Sequence, residues 1–83
     1  MTSKPLYLDV RTPEEYAEAH VDSAINIPVD ALSASLHALG SRQREIVIYC
    51  RSGRRSAIAL EILRAAGFTN ARDAGAISNV RAA

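Results

Sequence analysis

Short apolar runs alternating with amphipathic segments along 83 residues predict an α/β fold, a small central parallel sheet flanked by helices. Three observations carry this. Ile46-Val47-Ile48-Tyr49 is apolar and β-branched without alternation, the pattern of a central strand covered on both faces. Thr12-Pro13-Glu14-Glu15 combines a capping threonine, a proline at the first helical position and a glutamate three residues after the cap, the mark of a helix start. The segment from Ser56 to Ala66 is apolar nearly all round and is closed by Gly67, which predicts a largely buried helix.

In chain order, Leu6-Tyr7-Leu8-Asp9-Val10 reads as the first strand and residues 13–19 as a short helix ending near His20, which is open to a role as general base or as a cap of the carbonyls at that end. Ala24-Ile25-Asn26-Ile27 reads as a second strand stopped by Pro28. Asp30 is placed to cap a second helix, whose apolar stripe is Leu32, Leu36 and Leu39 and whose end is Gly40. The central strand, a polar loop over residues 50–55 and the buried helix follow. Asn70-Ala71-Arg72-Asp73 reads as a last short strand, and the tail from Gly75 is left unassigned.

Length and composition bound the function. A chain this short buries only about 60% of its unfolded surface, so one small domain over residues 1–83 is expected. With 48% apolar and 23% charged residues it has the balance of a globular protein rather than a disordered one. No apolar run approaches the roughly 20 residues of a membrane helix, and the N-terminus lacks the apolar stretch of a secretory signal. A cytoplasmic location is expected, or a periplasmic one if a signal has been removed. No membrane partner is expected, and the chain is expected to be a monomer.

Charge is unevenly placed. Residues 1–40 carry two basic against six acidic side chains, −4, and residues 41–83 carry eight arginines against three acids, +5. Arg51, Arg54 and Arg55 fall within five positions with no aromatic platform beside them, which suits a local site for a small anion and no nucleic-acid partner. The single cysteine, Cys50, has no partner for an internal disulfide, and Gly53 stands where the second cysteine of a redox pair would be. His20 and His37 lack metal-ligand spacing, so neither metal nor other cofactor is expected.

The chemistry concentrates in Cys50-Arg51-Ser52-Gly53-Arg54-Arg55-Ser56, between the end of a buried strand and the start of a buried helix. Backbone N–H groups at a helix start have no intrahelical acceptor, and the helix dipole adds about half a positive charge there. Such a loop is an anion cradle, and three arginines add charge that does not titrate. A cysteine at its rim loses its proton below the usual ~8.5. Gly53 lets the loop turn where a side chain would clash, and Ser56 is placed either to cap the helix or to donate to the sulfur. Asp9 and Arg11, just past the first strand, are expected to give structural support, with Arg11 pairing to Glu14 or Glu15. The pattern points to attack by a thiolate on an anionic substrate.

Asp9-Val10-Arg11-Thr12-Pro13-Glu14-Glu15-Tyr16, His20, Ala24-Ile25-Asn26-Ile27-Pro28, Tyr49 to Ser56, and Ala66-Gly67-Phe68 occur in that order, and together they resemble a single-domain rhodanese. The resemblance implies the rhodanese-like fold and a thiosulfate sulfurtransferase. Cys50 would take the outer sulfur of thiosulfate as a persulfide, release sulfite, and pass the sulfur to cyanide or to a thiol acceptor, possibly on a protein. The alternative is a persulfide carrier or interaction module that serves a partner protein. The family's six-residue loop corresponds to Cys50–Arg55, with Arg51, Ser52, Gly53, Arg54, Arg55 and Ser56 as substrate-binding residues. Related arsenate reductases and cell-cycle phosphatases carry an arginine six positions after the cysteine, where this chain has Ser56, so the ring is sized for sulfur. The family often closes with a Gly-Gly pair and a tryptophan. Here Gly75-Ala76-Ile77-Ser78-Asn79-Val80 has neither, and a more open pocket or weaker activity would follow.

Overall fold

The computed structural model describes residues 4–81; the outermost parts of the expected domain, residues 1–3 and 82–83, lie outside the described residues. Four strands, β1 (Leu6–Asp9), β2 (Ile25–Asn26), β3 (Ile46–Cys50) and β4 (Ala71–Ala76), pair in the order β2-β1-β3-β4, all parallel. The chain therefore reverses direction across the sheet between β1 and β3, which pair with Asp9 opposite Tyr49. In parallel sheets this switch point opens a crevice beyond the carboxyl ends of the strands. The residues that follow β1 and β3, Val10-Arg11 and Arg51-Ser52, stand there.

Every residue of β3 is buried, as its unbroken apolar run predicts. Ile46 and Ile48 join Leu8, Val10, Leu32, Leu39, Leu63 and Phe68 in one core. Helix α1 (Pro13–Glu18) begins with both bonds of the predicted capping box: Glu15 N–H donates to Thr12 Oγ1 at 3.2 Å and Thr12 N–H to Glu15 Oε1 at 3.0 Å. At its end His20 Nδ1 meets the Tyr16 carbonyl at 2.7 Å while its ring stacks on Tyr16, the capping role.

Three expectations are corrected. The predicted second helix is two 3-10 segments, Val29–Ala34 and Leu36–Leu39, broken at Ser35; Asp30 lies inside the first of them and caps nothing. Leu32 and Leu39 still reach the core, because an eclipsed three-residue turn serves an apolar stripe over so short a span. Helix α2 (Arg54–Ala65) starts two residues before Ser56, and it is buried on one face only: Ser56, Ala59 and Leu63 are covered, whereas Ile58 is 46% exposed. Strand β4 runs on to Ala76 through a register shift opposite Ile48/Tyr49, and helix α3 (Ile77–Arg81) follows it at once, so the tail does supply a C-terminal helix. No helix among the described residues is long and apolar enough to cross a membrane.

Candidate active site

Cys50 ends β3, and the turn after it places α2 directly beyond the sulfur. Gly53 makes that turn possible: its φ of 98° is a left-handed conformation, and its open α-carbon faces Gly75, whose Cα lies 3.6 Å from where a Cβ would stand. Gly53 N–H donates to Cys50 Sγ at 2.9 Å. The thiol donates to Ser56 Oγ at 3.4 Å, and that hydroxyl donates to the Gly53 carbonyl at 3.1 Å. Ser56 thus sits inside the first turn of α2, buried against the sulfur, rather than at the helix cap.

Cys50 is fully buried. Burial alone pushes its thiol up, but hydrogen bonds from the Ser56 hydroxyl and from the backbone N–H groups of Ser56, Gly53 and Ser52 outweigh it and hold the thiol below its ordinary value. A hydroxyl rotates freely, so Ser56 can turn from accepting the thiol proton to donating to the thiolate. The result is a sulfur whose anionic form is favoured by main-chain donors at the start of a 12-residue helix.

Asp9 and Arg11 form a buried pair that braces the neighbouring strand end. Arg11 Nη2 lies 2.7 Å from Asp9 Oδ2, Arg11 Nε reaches both carboxylate oxygens, and Arg11 N–H donates to Oδ1 at 2.9 Å. The same Nη2 donates to the Ala19 carbonyl, tying the end of α1 to β1, and the guanidinium stands 5.6 Å from the Tyr49 ring centre. Arg11 therefore pairs with Asp9 and not with Glu14 or Glu15. Burial raises the Tyr49 hydroxyl to about 12, so it stays protonated; it accepts from Val21 N–H at 3.1 Å.

The three loop arginines separate. Arg55 makes a two-pronged pair with Glu15, Nη1 to Oε1 at 2.7 Å and Nη2 to Oε2 at 3.0 Å, so its terminal nitrogens are committed to a carboxylate of the protein. The Arg55 bonds, with Thr12 N–H, hold Glu15 down to about 2. Arg51, Arg54 and Ser52 are exposed. A cleft of about 350 Å³ opens above the loop, lined by Arg11, Glu15, Glu18, Ala19, Arg51 and Ile77. Arg54 does not line it. Ile77 closes one side because Ala76, just before it, pairs with Cys50 in the sheet. Glu15 enters the site by a route the sequence does not advertise: its spacing to Thr12 marks a cap, while its ionic partner lies 40 positions away. Among the described residues no group of three His, Cys, Asp or Glu side chains could hold a metal ion.

Comparison with known proteins agrees with this geometry. The model of the rhodanese-like domain matches residues 1–78. The thiosulfate sulfurtransferase PspE of Escherichia coli is 36% identical over 75 residues, 89% of this chain and 72% of its own. YrkF of Bacillus subtilis, provisionally named as a sulfur carrier protein, is 39% identical over 61 residues, 74% of this chain but only 32% of its own. The solved structure of an E. coli rhodanese with anions superimposes with a TM-score of 0.86 at 35% identity, covering 92% of this chain and 91% of the other. With a parallel sheet in the order β2-β1-β3-β4 and a cysteine loop at its switch point, the chain belongs to the rhodanese-like domain family.

Proposed function

We propose that this domain is a thiosulfate sulfurtransferase in which Cys50 carries the transferred sulfur. The observation that carries the proposal is the cradle of Cys50: a buried sulfur at the end of β3, 2.9 Å from the Gly53 N–H and backed by Ser56, whose surroundings favour the thiolate. A thiolate at that point attacks the outer sulfur of thiosulfate. The S–S bond of the donor breaks, sulfite leaves with the electron pair, and Cys50 becomes a persulfide. The terminal sulfur is then an anion at the head of α2, where main-chain donors and the helix dipole favour negative charge. Cyanide or a thiolate attacks that terminal sulfur, and Cys50 departs as the thiolate it was. In this reading Arg51, which is exposed and lines the cleft, meets the sulfonate oxygens; its charge, unpaired among the described residues, supports the role. The covalent carrier is the cysteine itself, so the sequence of steps balances without an oxidant or reductant.

Turnover tests this. Thiosulfate and cyanide should yield thiocyanate and sulfite in equal amounts, and Cys50→Ser should abolish both. Thiocyanate formation that persists in the serine variant would overturn the assignment, because the chain has no other thiol. A second reading, a carrier that delivers sulfur to a partner protein, is supported by the match to YrkF, where the similar segment is about a third of a longer chain. It expects a persulfide that forms with thiosulfate yet discharges only to a protein acceptor.

A further inference from the structure

Four charged side chains line the cleft beside the cysteine loop, which Arg51, the residue after Cys50, helps to form, and two of them are neutralised inside the protein. Arg11 is paired with Asp9, and Glu15 with Arg55. Arg51 and Glu18 remain. Both are exposed, neither forms an ion pair among the described residues, and they project from different elements, the cysteine loop and the last turn of α1. The rim thus offers one cation and one anion, with the apolar Ile77 and Ala19 completing the lining. A cleft built for a dianion alone would gain nothing from Glu18, whose carboxylate repels it. The volume, about 350 Å³, lies at the small end of ligand pockets and exceeds what a five-atom anion needs.

We propose that the acceptor arm of this site recognises a small zwitterionic thiol, a molecule of the cysteine class carrying one carboxylate and one ammonium group, through Arg51 and Glu18 respectively. The inference rests on the sulfurtransferase reading above. Arg51 meets the donor's sulfonate in the first half-reaction and the acceptor's carboxylate in the second, and Glu18 meets only the acceptor's ammonium. In the transfer step the acceptor thiolate attacks the terminal sulfur of the Cys50 persulfide. One S–S bond forms as another breaks, the electron pair of the broken bond stays on the Cys50 sulfur, and the acceptor leaves as its own persulfide anion. Because both charges sit in solvent, each contact should contribute at most about a fivefold preference.

The test separates the inference from its foundation. Cys50 is first loaded with thiosulfate, and loading and its reversal by cyanide are read by intact mass. The loaded protein is then discharged by four thiols: free cysteine, mercaptopropionate (carboxylate only), cysteamine (ammonium only) and mercaptoethanol (neither). Rates are corrected for thiolate fraction and nucleophilicity, both of which follow the thiol pKa. Free cysteine should discharge the persulfide about fivefold faster than either singly charged thiol. Glu18→Gln should erase its advantage over mercaptopropionate, and Arg51→Gln its advantage over cysteamine. Loading and cyanide discharge with equal corrected rates for all four thiols would overturn this inference and leave the sulfurtransferase reading standing. A cysteine preference that survives both substitutions would also overturn it. Failure to load at all would remove both.

Discussion

The decisive residue is a thiol with no exposed surface. A buried cysteine after an apolar strand is ordinarily inert, because burial disfavours its charge. What sets Cys50 apart is its polar shell: Gly53 N–H donates to the sulfur at 2.9 Å, main-chain N–H groups of the same turn face it, and the Ser56 hydroxyl, which accepts from the thiol, can turn to donate to the thiolate. The rate of Cys50 alkylation should therefore rise with pH around a midpoint below the usual ~8.5, and Ser56→Ala should move that midpoint upward. A midpoint at or above ~8.5 in the wild type would mean that burial dominates and the loop is no anion cradle. Residue by residue, the arginines are also unequal. Arg51→Ala should lower kcat/KM for thiosulfate about fivefold, mainly through KM, as expected for losing one solvent-screened ionic contact of about 1 kcal/mol. Arg54→Ala, off the cleft, should have little effect. Equal losses from both would show that the cluster acts as a diffuse field. The thiol and its loop are readable from the sequence because they are contiguous: strand, cysteine, glycine turn and helix start follow one another within Tyr49 to Ser56.

At the scale of elements, the Glu15–Arg55 pair joins α1 to the first turn of α2, clasping the cysteine loop from the side. Glu15 is held down to about 2 from an ordinary 4.5. The sign follows: a depressed carboxylate stabilises the fold above its unfolded value and ceases to do so as pH falls through its folded one. Wild type should exceed Glu15→Gln in stability by about 1 kcal/mol at neutral pH, since the partly exposed Arg55 is screened. The gap should close between roughly pH 4.5 and 2, as measured by denaturant unfolding at each pH. A gap independent of pH would show that the ionised Glu15 carboxylate, and with it the Arg55 pair, adds nothing to stability. No spacing rule links residues 15 and 55, so this clasp was beyond reach of the sequence. The 3-10 segments are hidden in the sequence for a different reason. Leu32, Leu36 and Leu39 fit a helical period, but over one or two turns the same stripe serves a tighter coil, and neither segment has a side-chain cap to hold an α-helical start. The strand expected over Asn70–Asp73 runs on to Ala76 although Ala74, Gly75 and Ala76 have low strand propensity; pairing with the fully buried β3 overrides that preference.

Over the whole molecule, the uneven charge has two uses. The acidic first half and basic second half meet at the Glu15–Arg55 clasp, so part of the asymmetry is an internal seam rather than an advertisement to partners. A second pair of opposite charges from the two halves, Arg51 and Glu18, lines the cleft. The sheet order explains why both line one cleft: the switch point between β1 and β3 gathers the ends of two strands, the end of α1 and the start of α2 at one edge. The alternation of elements and the buried central strand made that arrangement legible, whereas the closing wall from Ile77 depends on a helix whose residues carry no cap or period of their own. The central claim is that Cys50 itself carries the sulfur, and intact-mass spectrometry after brief treatment with thiosulfate tests it most directly. The account predicts a gain of one sulfur atom per chain, removed by cyanide and absent from Cys50→Ser. An unchanged mass in the wild type, or the same gain in the serine variant, would contradict it.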